Sequence, residues 1–209
     1  MERMIPPHRW LEWAKELRAM AETGLTYSKD YYEIERCKRM EEIAHAMIAD
    51  YFERPLEDVV KYFDQDRTYP TPKIDVRVAI FKENAILLVK EKSDGKWTLP
   101  GGWCDIGTSP SESARLEVAQ EAGFLVHITR LLAIHDKAKH PHPPHPDYTY
   151  KIFFEAEIIG TCETNFDETD GVNYFELENL PPLSLPRILP EQLEMVLRLH
   201  KNGEKVEFD

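Results

Sequence analysis

Glu117 and Glu121 lie four residues apart in the run Arg-Leu-Glu-Val-Ala-Gln-Glu-Ala-Gly, residues 115–123. On a helix that spacing places both carboxylates on one face. Adjacent carboxylates repel, and a divalent cation that prefers oxygen ligands, Mg²⁺ or Mn²⁺, relieves the repulsion. Taken alone, such a pair is an ordinary solvated face, since charged residues mostly lie exposed. The preceding Leu-Pro-Gly-Gly turn at residues 99–102 gives it more weight. Positioning the pair requires a helix with a defined start. Ser109 fits the N-cap, Pro110 the first helical position, and Glu112, three residues after Ser109, completes a capping box. Gly123 suits a left-handed C-cap, so the spacing predicts a helix from Pro110 to Ala122. Ala114, Val118 and Ala122 form a separate apolar stripe that should pack while the acidic face does chemistry.

Residues 102–124 resemble the signature of the Nudix hydrolases: Gly, five residues, Glu, seven residues, Arg-Glu-apolar-x-Glu-Glu-x-Gly-apolar. Gly102, Glu117, Val118, Glu121, Gly123 and Phe124 agree with it, as do Trp97, Leu99, Pro100 and Gly101 upstream. Three positions depart: Thr108 stands at the first Glu, Leu116 at the Arg and Gln120 at the first residue of the Glu-Glu pair. Leu116 and Gln120 are themselves four apart, so a cation and an anion are exchanged together for neutral groups. Charge balance survives, but metal capacity falls. The resemblance implies an α/β fold, an α/β/α sandwich with a mixed sheet, and hydrolysis of a nucleoside diphosphate linked to another group, X. It implies that Glu117 and Glu121 hold the cation, with Gly101 as a further metal contact. Bound metal neutralises the diphosphate oxygens and lowers the pKa of a coordinated water. The family often adds a carboxylate from a loop beyond the central strands, as ligand or general base. Glu168, in Asn-Phe-Asp-Glu-Thr-Asp-Gly, is the candidate, with Asp167, Asp170 and Glu163 as rivals. The competing reading is that all four are solvated loop acids.

Other residues suggest substrate contacts. Arg77 on the polar face of a strand could meet a diphosphate, and Trp103 after the double glycine could stack on a base or a choline. The residues by themselves favour plainer roles, an Arg facing water and a Trp packing its loop. In Lys-Ala-Lys-His-Pro-His-Pro-Pro-His-Pro, residues 137–146, the three histidines His140, His142 and His145 invite a zinc reading, but a Pro-rich loop offers no rigid ligand support. We read it as a wall or lid, with Lys137 and Lys139 toward the distal half of the substrate. Cys104 reads as a small buried hydrophobe rather than a nucleophile.

The rest of the chain sets the frame. Its 209 residues are 42% hydrophobic and 31% charged, which suits one large or two smaller globular domains. A net charge of −12 argues against a nucleic-acid backbone as main partner and leaves a small metal-dressed nucleotide conjugate as the natural one. Three cysteines without CxxC spacing, and no long apolar run, lead us to expect a cytoplasmic protein, neither exported nor membrane-spanning. Residues 1–70 read as a helical domain. The spacing predicts helices over His8–Glu22 (stopped by Gly24), Ser28–Phe52 and Leu56–Phe63, before Tyr-Pro-Thr-Pro breaks regular structure. Their aromatics seek an apolar partner in the second domain or in another subunit, and a homodimer is the simpler expectation. Residues 71–209 carry the Nudix-like part. Ile74–Phe81 alternates as a half-buried strand and should form a hairpin with Ala85–Val89. Further strands are expected over 125–134, 148–159 and 172–175, with a closing helix over 190–200. The helical preface resembles a Nudix subfamily with an N-terminal helical domain. That likeness favours CDP-choline as substrate over ADP-ribose. The non-enzymatic alternative is a nucleotide-binding module whose departures at Thr108, Leu116 and Gln120 have cost it catalysis.

Overall fold

The computed structural model describes residues 7–64, 69–164, 166–203 and 205–209. They form two units, one of residues up to Thr71 together with 144–147, the other of 72–143 and 148–209.

The first unit is helical. Helix α1 spans Pro7–Tyr27, α2 spans Tyr31–Phe52 and α3 spans Leu56–Phe63. Helix α1 does not stop at Gly24, because that glycine lies inside it, where a Cβ would collide with the Cys37 sulfur of α2. The residue marks a close approach of two helices rather than an end. Helix α2 starts after Asp30, not at Ser28, since the Asp30 carboxylate accepts the Glu33 N–H at 2.8 Å and fixes the first turn. Leu11, Ala14, Ile48, Ala49, Val59 and Phe63 make the core. Arg18 pairs with Glu22 one turn on and lies over the Phe63 ring, 3.9 Å from its centroid.

The second unit is built on two four-stranded sheets. In one, β1 (Lys73–Ala79) runs parallel to β6 (Thr149–Thr161), β6 antiparallel to β5 (Phe124–Asp136), and β5 parallel to the short β8 (Glu207–Phe208). In the other, β3 (Ala85–Glu91) pairs antiparallel with β2 (Phe81–Lys82), β4 (Trp97–Thr98) and β7 (Thr169–Glu176). The expected hairpin is therefore only the β2–β3 corner, because the chain changes sheets at Ile80 and β1 pairs instead with distant β6. Nor is β1 half-buried: Asp75 to Ala79 are all inside. Helix α4 (Pro110–Ala122) lays Ala114, Val118 and Ala122 against Val76, Val78 and Ile80. The opposite core joins Ala79, Phe153 and Ala133 to Leu193, Val196 and Leu199 of α5 (Pro190–Asn202), which Gly203 ends in a left-handed cap. Each buried aliphatic side chain contributes about 1.5–3 kcal/mol. Among the described residues no helix is long and apolar enough to cross a membrane, and all three cysteines are free thiols.

Candidate active site

Helix α4 begins as its sequence dictates. Ser109 and Glu112 exchange both capping-box bonds, and Gly123 ends it at φ 71°. Thr108, where the motif has Glu, bonds the Ser113 hydroxyl at 2.6 Å and donates to the Asp105 carbonyl at 2.8 Å, tying the loop to the helix start. Leu116 and Gln120, the other departures, are exposed.

The Leu-Pro-Gly-Gly turn lies alongside β1. Val78 N–H donates to Pro100 O and Val76 N–H to Gly102 O, each at 2.9 Å, and Trp103 bridges to Asp75. Gly101 sits at φ 141°, and a Cβ there would strike the Val76 carbonyl, so only glycine lets the turn lie this close. Its N–H donates to Glu121 Oε2 at 2.8 Å. The Glu117 carboxylate covers Gly102, so that a Cβ on that glycine would lie 2.9 Å from Glu117 Oε1. The turn and the acidic pair are thus one assembly.

Charge at the assembly is out of balance. Burial pushes Glu117 up to about 7; Arg77 opposes this, while Glu168, Asp75 and Asp105 add to it. Burial pushes Glu121 up to about 8, against Arg77 and the Gly101 N–H, with Glu117 and Glu91 adding. A buried and a half-buried carboxylate side by side fit a divalent cation. Among the described residues no three His, Cys, Asp or Glu side chains converge as a metal cluster. The acidic side chains that meet the turn are this pair, and the Gly101 N–H is already engaged by Glu121.

Arg77 is neither exposed nor available as an open fork. It is 5% exposed, its Nε and one terminal nitrogen reach Asp75 Oδ1 at 3.0 and 2.9 Å, and the other terminal nitrogen donates to Leu99 O at 3.2 Å. β1 is covered on both faces, so its polar residues could not face water as alternation suggested. Glu168 is exposed, yet its charge reaches Glu117 and Glu91. Thr169 Oγ1 donating to Glu121 O at 2.8 Å and Lys92 N–H donating to Glu168 O at 2.9 Å bring that loop in. Asp170 pairs with Lys90, Glu163 and Asp167 are exposed, and Asn165 lies outside the described residues.

Trp103 is 46% exposed, with the Lys73 ammonium 5.7 Å from its ring centroid. Lys137 is half-buried in a 3-10 turn, Lys137–Lys139, and its charge lowers His142 and Lys151. The three histidines take separate partners: His140 reaches Asp209 at 3.2 Å and stacks on His135, His142 meets Leu185 O at 2.7 Å, and His145 lies 3.9 Å from Asp147. Cys104 is half-buried and its thiol is pushed up by burial.

Sequence reasoning missed Asp75, Glu91 and Lys151 as parts of this site. Lys151 stands in the apolar run Lys-Ile-Phe-Phe, which could have flagged its burial, but its partner Asp75 is set only by β1–β6 register.

The family model of the NUDIX domain matches residues 71–199, well over half of the chain. The chain belongs to the Nudix family. Residues 8–63 match a second model, described as a UDP-X-like N-terminal oligomerisation domain. This Nudix protein is 43% identical over 198 residues to the "Putative ADP-ribose pyrophosphatase YjhB" of Bacillus subtilis (strain 168), spanning 94% of this chain and 95% of that one. A crystal structure of an ADP-ribose pyrophosphatase from Streptococcus suis 89-1591 is 40% identical, with TM-score 0.61, covering 66% of this chain and all of that one. A UDP-X diphosphatase structure is 27% identical with TM-score 0.63, covering 98% and 100%. The protein is a Nudix pyrophosphohydrolase with a fold of mixed α/β type behind a helical segment.

Proposed function

We propose that this Nudix enzyme hydrolyses ADP-ribose with Mg²⁺ or Mn²⁺, giving AMP and ribose 5-phosphate. What carries the substrate reading is 43% identity over 94% of the chain to a protein named for that activity. Glu117 and Glu121 hold the cation, with the Gly101 carbonyl beside them. The bound cation supplies charge neutralisation of the diphosphate and acidifies a water. Glu168, whose charge bears on Glu117, would be the general base. The Gly101 N–H holds Glu121, Gly102 leaves room for the Glu117 carboxylate, and Trp103 offers a face to the base.

The Lys73 ammonium near the Trp103 ring speaks against CDP-choline. A quaternary ammonium seeks an open aromatic face, whereas a lysine there repels it and suits phosphate or ribose oxygens. Lys137 is a further candidate contact for the distal half. The helical unit exposes Trp13, Met20, Tyr27, Tyr31 and Tyr32. With its match to an oligomerisation domain, this supports a homodimer.

The test is turnover against ADP-ribose, CDP-choline and UDP-sugars with each metal, read as phosphate released by added phosphatase. We expect ADP-ribose to lead in kcat/KM by at least tenfold. A CDP-choline or UDP-sugar preference would replace the substrate assignment.

A further inference from the structure

Lys151 is fully buried, and its ammonium bonds Asp75 Oδ2, while Asp75 Oδ1 receives two nitrogens of Arg77. Asp75 and Lys151 are direct register partners on β1 and β6, so the sheet itself aligns them. Arg77 then donates to Leu99 O, the residue that enters the glycine turn. Two residues on, Gly101 N–H holds Glu121, and Gly102 underlies Glu117. A chain of bonds therefore runs from a lysine on β6 through the turn to the Glu121 carboxylate, and the Glu117 carboxylate packs over the next glycine of that turn.

We propose that Asp75 and Lys151 are positioning residues of the hydrolase: they orient Arg77, which anchors the Leu-Pro-Gly-Gly turn and thereby keeps Glu117 and Glu121 in cation-holding geometry. Burying three charged side chains is costly unless each is paired, and here Arg77 bonds Asp75, Thr98 Oγ1 at the end of β4 and the Leu99 carbonyl that enters the turn. With Leu116 in place of the motif's cation, Arg77 is a cation whose charge bears on both carboxylates. Neither Asp75 nor Lys151 is assigned contact with the reacting atoms.

This inference rests on the reading of Glu117 and Glu121 as metal ligands, and the test separates the two. Mn²⁺ affinity is measured without substrate, by calorimetry or by the spin resonance of free Mn²⁺, alongside kcat and KM. Asp75→Leu/Lys151→Met removes anion and cation together. We expect it to fold, to bind Mn²⁺ at least tenfold more weakly and to lose kcat with KM within twofold. Lys151→Met alone, which leaves Asp75 with Arg77, should lose about threefold in both and carries the test if the double variant does not fold. Wild-type Mn²⁺ affinity and kcat in whichever folded variant carries the test overturn the proposal. Glu121→Gln is the control: if it too leaves Mn²⁺ affinity unchanged, the metal assignment has failed rather than the positioning role.

Discussion

The helical unit and the sheet unit both bury charged side chains, but they balance them differently. In the helical unit Arg18 meets Glu22 and Lys15 meets Glu12, partners three or four residues apart on one helix. Each cation finds its anion within a turn, and the result is structural. In the sheet unit the partners come from distant segments: Asp75 and Arg77 from β1, Lys151 from β6, and Glu117 and Glu121 from α4. There burial pushes the two carboxyls up to about 7 and about 8 against the pull of Arg77, and neither acid has a cation of its own segment beside it. A balanced buried pair holds a fold together. An unbalanced one is a place for a ligand to supply what is missing.

The difference can be broken at its strongest point with Glu121→Gln. We expect kcat for the preferred substrate to fall roughly a thousandfold, as for a charge-stabilising group worth about 4 kcal/mol. A rate within threefold of wild type would remove Glu121 from the catalytic machinery. Arg18→Met probes the other side. It leaves Glu22, 6% exposed, without its partner in Arg18, and should lower the melting temperature by roughly 5 °C while kcat stays within twofold. A large kcat loss in a folded Arg18→Met protein would erase the distinction between the two units.

The smallest effect is in pH. In metal-free protein Glu117 and Glu121 keep protons that the unfolded chain releases above about pH 4.5. The folded state then binds more protons, so stability should decline as pH rises from 5 to 7. Lys151, lowered to about 7 by burial against the pull of Asp75, acts in the opposite sense only above that pH. Melting curves in EDTA across this window should slope downward, flatten with Glu121→Gln, and recover at pH 7 when Mn²⁺ is added. A flat wild-type curve in EDTA would mean that the pair is not short of charge.

Much of this was legible in the chain because it is local. Helix α4 runs between the residues its caps predict, since Ser109, Pro110, Glu112 and Gly123 act within a few residues of one another. The i, i+4 spacing of Glu117 and Glu121 and the glycine turn are local in the same way. Gly24 was misread because the same lack of a side chain serves a helix end or a close helix contact, and only Cys37 decides which. The hairpin expected between residues 74 and 89 was misread because adjacent strands usually pair, while here β1 takes β6.

By itself, then, the sequence determined the helix that carries the acids, the turn that meets them and the family to which they belong, because caps, glycines and helical spacing act over short distances. Tertiary structure alone decided that Arg77 faces inward, that Asp75 and Lys151 stand behind it, and that Glu168 approaches the pair. Those facts depend on strand register and on how little water remains around each charge, and neither is set by any one stretch of residues.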